Sequence, residues 1–337
     1  MVQRFTFFIC AILLLPVSIH AQLFPQLGAQ RAGISALTFL KIDVSPRSAS
    51  LGGANLCLSG DAFSTYTNPA NLGEVEQFKI GASNTFWVAG INHAFASVVQ
   101  PTKIGTLGLS VGTLTSGAME VRTEFQPDGT GQYFYASNLA IGLSYAKRLT
   151  EMFSFGFSVK YINETLAEFA SNTAVVDLGF LYRTDFKDLS FAVMIQSFGP
   201  NSTLKGEIEQ DANFASNPVS LESYPAPTIF KLGVSMVPYK NEEKNQSLTT
   251  FIQLNHPNDN AENIRLGLEY NYKSLLFFRL GYKINVDDQS YPTAGLGLRM
   301  RIGKNPLQFD YAFDPIRYLG MVHRIGLTFS LNKETRE

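Results

Sequence analysis

Residues 153–161 read FSFGFSVKY, and the order of their side chains decides the fold. Phe153, Phe155, Phe157, Val159 and Tyr161 are large and apolar, while Ser154, Gly156, Ser158 and Lys160 between them are small or polar. Successive side chains of a β-strand point to opposite faces, so this segment has one apolar face and one polar face. The apolar face needs cover, either from a second sheet, as in a soluble sandwich, or from lipid.

Segments of the same kind fill the chain from residue 78 onward. They are 78–86, 93–100, 106–114, 136–148, 153–162, 174–183, 189–198, 228–237, 247–255, 263–272, 275–285, 293–302, 307–313 and 322–331. That makes about fourteen strands, and an even number is what single-chain bacterial barrels require. The links between them alternate in length. PTKIG (101–105), LTE (149–151), TDFKD (184–188), YKS (272–274) and GKNP (303–306) are short, with PYKNEEKNQ (238–246) the one longer member. The intervening links, 115–135, 163–173, 199–227, 256–262, 286–292 and 314–321, include the long ones and carry many acidic residues. Short turns at one end and long loops at the other are the mark of an outer-membrane barrel, with turns periplasmic and loops outside.

The two faces sort accordingly. In 275–285, Leu276, Phe278, Leu280, Tyr282 and Ile284 fall on one side and Arg279, Gly281 and Lys283 on the other. In 293–302 the second set holds Arg299 and Arg301, and in 263–272 it holds Arg265, Gly267 and Glu269. An Arg facing lipid at the midplane costs about 2–4 kcal/mol, so the charged set faces inward. Closure satisfies every backbone group between strands, whereas an open edge in lipid costs several kcal/mol per group. The predicted fold is therefore all-β, a transmembrane antiparallel barrel, and its apolar face meets lipid. Glu269 near Arg279 and Lys283, and Arg299 and Arg301 near Asp310, are expected to form either a cross-strand ion-pair ladder or a merely solvated wall.

Composition agrees. Charged residues are 16% of the 337, against roughly 25% in soluble proteins, and Gly and Phe number 27 each. A net charge of −1, with no basic aromatic-studded segment, gives no case for nucleic acid. MVQRFTFFICAILLLPVSIHAQ has Arg4 ahead of an apolar run from Phe5 to Val17 and a cleavage position after Ala21, the pattern of a secretory signal peptide. Cys10 lies inside that run, which argues against a lipid anchor, and Cys57 alone remains beyond it, so no internal disulfide is expected. The organisation predicted is a signal peptide (1–21), an N-terminal hatch or plug (22–77), the barrel (78–331) and a tail (332–337).

Residues 22–77 do not alternate. They carry the small-residue cluster SASLGGANLCLSGDAF and the turn TNPANLGE, in which Asn68-Pro69 favours a turn and Ala70 permits close packing. Leu51, Leu56, Phe63 and Leu72 need burial, so the segment is expected to plug or cap the periplasmic mouth.

QRAGISALTFLKIDVSPRSASLGGANLCLSGDAFSTYTNPANLGE (30–74) resembles the N-terminal signature of the PorV/PorQ proteins of the type IX secretion system, relatives of the FadL-type fatty-acid transporter barrels. The matching pieces are Phe39-Leu40-Lys41-Ile42, Arg47 to Gly53, Asp61-Ala62 and the hatch motif Asn68-Pro69-Ala70. YPAPTIFKLGVS (224–235) is similar to the family's Pro-then-strand start after its longest loop. The resemblance implies a FadL-like barrel in the outer membrane. Its external loops would dock secretion-system proteins and the C-terminal signal domains of cargo, without cofactor or catalysis. On loops 115–135 and 199–227, Tyr133, Phe134, Phe214 and Tyr224 are aromatics of the sort that anchor interfaces. The alternatives are a FadL-like channel for hydrophobic small molecules and a plain structural barrel.

Chemistry finds little footing. Gly108-Leu109-Ser110-Val111-Gly112 matches a hydrolase elbow in spelling but lies mid-strand, where no strand-to-helix turn exists. His93, His256 and His323 have no ligand spacing, and HPNDNAEN lacks an EF-hand pattern, so no metal is expected. Trp87 and the tyrosines near strand ends read as interface-belt anchors.

Overall fold

The computed structural model describes residues 28, 33–209, 216–287, 289, 291–318 and 320–331. The signal peptide and its cleavage position, Phe214 and the tail 332–337 lie outside the described residues. The strands are β1 (Phe78–Phe86), β2 (Asn92–Pro101), β3 (Thr106–Thr115), β4 (Met119–Glu120), β5 (Tyr133–Phe134), β6 (Ala136–Arg148), β7 (Phe153–Leu166), β8 (Phe169–Arg183) and β9 (Ser190–Phe198). They continue with β10 (Ser202–Glu209), β11 (Ser216–Tyr224), β12 (Ile229–Asn241), β13 (Gln246–Pro257), β14 (Asn263–Tyr272), β15 (Leu276–Ile284), β16 (Thr293–Ile302), β17 (Asn305–Ile316) and β18 (Gly320–Leu331).

Without β4, β5, β10 and β11 these strands form a closed antiparallel barrel of 14. β1 pairs with β18 from Phe78 opposite Leu331 to Phe86 opposite His323, so the wall has no free edge at the seam. The predicted alternation holds along β7 and β15, while in β16 it lapses after Leu298, where Arg299 to Ile302 are all exposed. In β7, Ser154, Gly156, Ser158 and Lys160 are buried against the interior, while Phe157, Val159 and Tyr161 are exposed on the outer wall. In β15, Arg279 is buried and Phe278, Leu280 and Tyr282 are exposed. Among the described residues no helix is long and apolar enough to cross a membrane.

Several expected loops turn out to be strand. The link 163–173 is the continuation of β7 and β8, which turn tightly at Ala167, a non-glycine residue with φ 53°. The link 199–227 carries the hairpin β10–β11, and 115–135 carries the short ladder β4–β5. The link 238–246 is mostly strand too, with a register shift between Met236 and Tyr239. Polar residues here hid the strands because a ladder standing clear of the bilayer has no apolar face to reveal it.

Residues 33–77 run inside the barrel and fill it. Ser45 caps helix α1 (Pro46–Ser50), accepting from the Ser48 N–H at 3.3 Å with Pro46 pre-set at the first position. A short helix α2 (Ser64–Thr67) and a 3₁₀ turn (Pro69–Glu74) follow. Leu51, Leu56, Phe63 and Leu72 are all 2% exposed or less. The barrel wall makes room with glycine. A Cβ on Gly156 would strike the Pro69 carbonyl carbon and Ala70 nitrogen, and one on Gly281 would strike Leu51 and Gly52.

The segment does more than cap one mouth. Its C-terminal end is tied at the turn end, where Glu74 bridges Arg148 and Arg183 at 2.9 Å each. Its N-terminal end lies at the loop end: Ala36 N–H donates to Pro225 O (3.0 Å), and Gly28 N–H to Glu262 Oε2 (3.0 Å). The chain therefore threads the lumen from loops to turns before β1 begins.

Candidate functional site: the upper lumen

The lower half of the lumen is a locked contact. Asn68 is fully buried; its Oδ1 accepts from Ala70 N–H (3.1 Å) and its Nδ2 donates to Leu56 O (2.9 Å). Asn71 Nδ2 donates to Leu56 O and Leu58 O at 3.1 and 3.0 Å. Asn68-Pro69-Ala70 thus folds the plug onto itself rather than presenting a site. Cys57 is buried there too, and burial pushes its thiol up to about 12.

Charge holds the plug to the wall. Arg279, with a side chain wholly out of solvent, reaches Glu269 Oε2 and Asp310 Oδ1 at 2.6 Å each. Glu269 also takes a bidentate contact from Arg47 of the plug, at 2.8 and 2.6 Å. Lys283 pairs with Asp314 (3.1 Å) rather than with Glu269, because it stands four residues further toward the loop end. Arg299 bonds Gln308 (2.8 Å) instead of Asp310, and Gln308 in turn donates to Asp310. Arg301 lies exposed where β16 ends. A second buried pair, Lys160–Asp177 at 2.5 Å, went unread in the sequence; Asp177 also accepts from Ser197 N–H (2.7 Å), fixing the bulge where β8 and β9 part.

Above the plug, toward the loops, lies a chamber of about 590 Å³. Phe39, Leu40, Ile42, Trp87, Ile229 and Ile316 supply apolar lining. Asp43, Asn55, Lys231, Arg265, Asp314 and Arg324 supply polar lining nearer the plug. Across the whole chamber Lys41, Lys231, Arg265, Lys283 and Arg324 face Asp43, Glu164, Asp259 and Asp314, an excess of one positive charge. Most of these are paired. Lys41 meets Asp259 at 2.7 Å, and Asp314 takes both Lys283 and Arg324 (3.1 and 3.3 Å). Arg265 Nε donates only to the neutral Asn263 Oδ1 (3.2 Å), and Lys231, 6% exposed, has no hydrogen-bonded or ion-paired partner among the described residues. Asp43 and Asp177 act on Lys231 electrostatically without touching it, and a buried ammonium that no carboxylate contacts is costly. Tyr66, on α2, donates to Leu40 O at 2.6 Å and links chamber to plug; burial raises its phenol well above the usual range, so it stays a donor.

Trp87 is not a belt residue. It turns inward to line this chamber, with the Arg324 guanidinium 5.6 Å from its ring. Glu164, assigned above to a loop, also faces the chamber from β7. Tyr133 is exposed and Phe134 half-buried on the β4–β5 ladder, while Tyr224 ends β11 with its hydroxyl on Glu222 Oε2 (3.0 Å). Tyr133 and Phe134 share the β4–β5 ladder, while Tyr224 stands on the β10–β11 hairpin. Ser110 of the elbow-like motif is a buried wall residue in β3, its hydroxyl 3.5 Å from Gly142 O. No group of three potential metal ligands occurs among the described residues.

A closed, plugged barrel with a chamber between plug and loops defines the class: an antiparallel β-barrel of FadL-like fold. Solved structures share it. The chain superposes on the Ralstonia pickettii toluene transporter TbuX with TM-score 0.58 and 15% identity, over 85% of this chain and 97% of that one. For the Pseudomonas putida toluene transporter TodX the values are 0.57 and 14%, over 90% and 100%. For a Pseudomonas aeruginosa FadL homologue they are 0.53 and 10%, over 89% and 98%. No protein-family model matches the sequence, and neither does any curated protein.

Proposed function

We propose that this protein, inserted in the outer membrane after its leader is cleaved near Ala21, is a channel of the FadL-like kind for a small molecule with an apolar body and a negatively charged head. The observation that carries the reading is the chamber: an apolar wall on one side and, at its floor, Lys231 with no partner beside the incompletely paired Arg265. A carboxylate seated there gains charge-assisted hydrogen bonds, each worth about 1.5–3 kcal/mol, that a neutral head does not. The toluene transporters that share the fold lend support to small-molecule passage. Binding to the purified protein in nanodiscs tests it. Dodecanoate should bind at least tenfold more tightly than dodecanol, and Lys231→Met should erase the difference. Equal affinity for the two in the unaltered protein contradicts the reading.

A second reading, a type IX secretion component that receives the C-terminal domain of cargo, draws on the resemblance of residues 30–74 to PorV/PorQ proteins. It also draws on β11, whose outer edge pairs with no other described strand and offers main-chain groups for strand addition. Co-purification from outer membranes in mild detergent separates the two. Bound cargo domains, and loss of surface proteins without an uptake defect on deletion, would favour secretion.

A further inference from the structure

The inner wall at the turn end is charged unevenly. On one side Glu74 of the plug meets both Arg148 of β6 and Arg183 of β8 at 2.9 Å, so a carboxylate answers those arginines. On the other side, from β16 to β1, the strand register sets two rows across the wall. Arg299 stands opposite Gln308, and Gln308 opposite Thr328. One step nearer the mouth, Arg301 begins the second row and Ser330 stands opposite Lys79 at its end.

No carboxylate among the described residues touches these three cations. Arg299 donates from Nε and Nη2 to the neutral Gln308 Oε1 (3.1 and 2.8 Å), and its guanidinium packs 4.7 Å from the Phe277 ring. Lys79 Nζ donates to the Gly60 carbonyl (2.5 Å). Arg301 is exposed and has no partner among the described residues. Thr328 and Ser330, 9% and 5% exposed, carry hydroxyls that bond to nothing among the described residues. Glu269 and Asp310 are already taken by Arg47 and Arg279. Asp61 of the plug acts on Lys79 from a distance without touching it, while Arg299 opposes it. The corner therefore sets three cations, Lys79, Arg299 and Arg301, against the one carboxylate of Asp61. The plug roofs it: a Cβ on Gly81 would stand 2.9 Å from Ala62, and one on Gly326 would stand 2.8 Å from Pro46.

We propose that this corner is a binding site for a phosphate group entering at the turn end. It lies on the far side of the plug from the chamber and does not depend on what the chamber admits. Adjacent strands are about 4.8 Å apart, so the arc from β16 to β1 is about 14 Å, and long cationic side chains close over its middle from both ends. A phosphate monoester presents three acceptor oxygens, enough for cations at both ends and the Thr328 and Ser330 hydroxyls between them. A carboxylate presents two, which a single guanidinium fork satisfies. Soluble phosphate and the headgroup of a phospholipid at the membrane edge offer the same chemistry.

The experiment titrates inorganic phosphate against the full chain in phosphatidylcholine nanodiscs, followed by phosphorus NMR. Saturable binding is expected, and Arg301→Gln should weaken it about tenfold, as the loss of one charge-assisted bond requires. Ser330→Ala should weaken it less, and Lys187→Gln, on the turn between β8 and β9 across the mouth, should leave it unchanged. Sulfate, also tetrahedral, should displace phosphate where acetate at equal concentration does not. Heat-modifiable migration on gels confirms that the variants fold. Native mass spectrometry after release from nanodiscs containing phosphatidylglycerol separates the sources. Lipid retained by the unaltered chain and lost in Arg301→Gln assigns the site to a headgroup; saturable phosphate binding without that difference assigns it to soluble phosphate, and either result upholds the site. No saturable binding, an equal loss in Lys187→Gln, or displacement by acetate as readily as by sulfate overturns it.

Discussion

Replacing Arg279 by methionine removes the charge at the centre of the lumen while keeping nearly the same volume. The guanidinium makes 2.6 Å contacts with Glu269 and Asp310 and is wholly shielded from solvent. Two charge-assisted bonds at about 1.5–3 kcal/mol each suggest a loss of about 3–6 kcal/mol. Breaking a buried pair by removing one partner costs about 3–5 kcal/mol by independent measure, because the abandoned carboxylate remains buried. The two carboxylates will not suffer equally. Glu269 keeps Arg47, whereas Asp310 keeps only the neutral Gln308. Adding Asp310→Asn to Arg279→Met should therefore recover most of the loss, and adding Glu269→Gln much less. Urea unfolding in lipid vesicles, followed by the fluorescence of Trp87, the only tryptophan, measures each step. A loss below about 1 kcal/mol for Arg279→Met, or equal recovery from the two second substitutions, would refute the reasoning.

Other outcomes follow from the packing. Gly156→Val places a side chain where Pro69 and Ala70 lie, so trypsin should cut after Arg47 in the variant while the barrel stays intact. Leu280→Arg, on the outer wall, should destabilise the vesicle-inserted protein by about 2–4 kcal/mol, whereas Leu280→Phe should not. Asn68→Ala strips two hydrogen bonds from a fully buried position; about 1–3 kcal/mol of stability should go with them, measured by the same unfolding assay. Cys57, its thiol pushed up to about 12 by burial, stays protonated through pH 9 and should resist alkylation in the folded protein, then react fully in denaturant.

Most of the barrel could be read from residues because lipid imposes a period of two on every strand it touches. FSFGFSVKY shows that period without exception, and the strand around Arg279 breaks it only at Phe277, an inward aromatic under the Arg279 and Arg299 guanidinia. Beyond the bilayer the rule lapses. The extensions of β7 and β8 past Ile162 and the hairpin β10–β11 are rich in polar residues and carry no sustained alternation, so they look like loops in the sequence. The site was less legible. Alternation puts Lys160, Asp177 and Lys231 inward as surely as Arg279, and a lone charge in an apolar strand is the signal that identifies them. Nothing in the sequence, however, says which inward charge finds a partner. Lys283 meets Asp314 and Lys231 meets none because the plug and the strand stagger set the heights, and those are properties of the assembled barrel. The path of residues 33–42 was likewise hidden, since a segment without periodicity carries no direction.

One measurement bears on all of this. Spin labels placed singly at positions 276 through 284 of β15 in lipid vesicles report collision with dissolved oxygen, which concentrates in the acyl region. A wall facing lipid predicts high oxygen access at 278, 280 and 282, low access at 277, 279 and 281, and little access of a water-soluble nickel reagent to either set. Uniform access along the strand, or nickel access at 278, 280 and 282, would mean that water and not acyl chains covers these side chains.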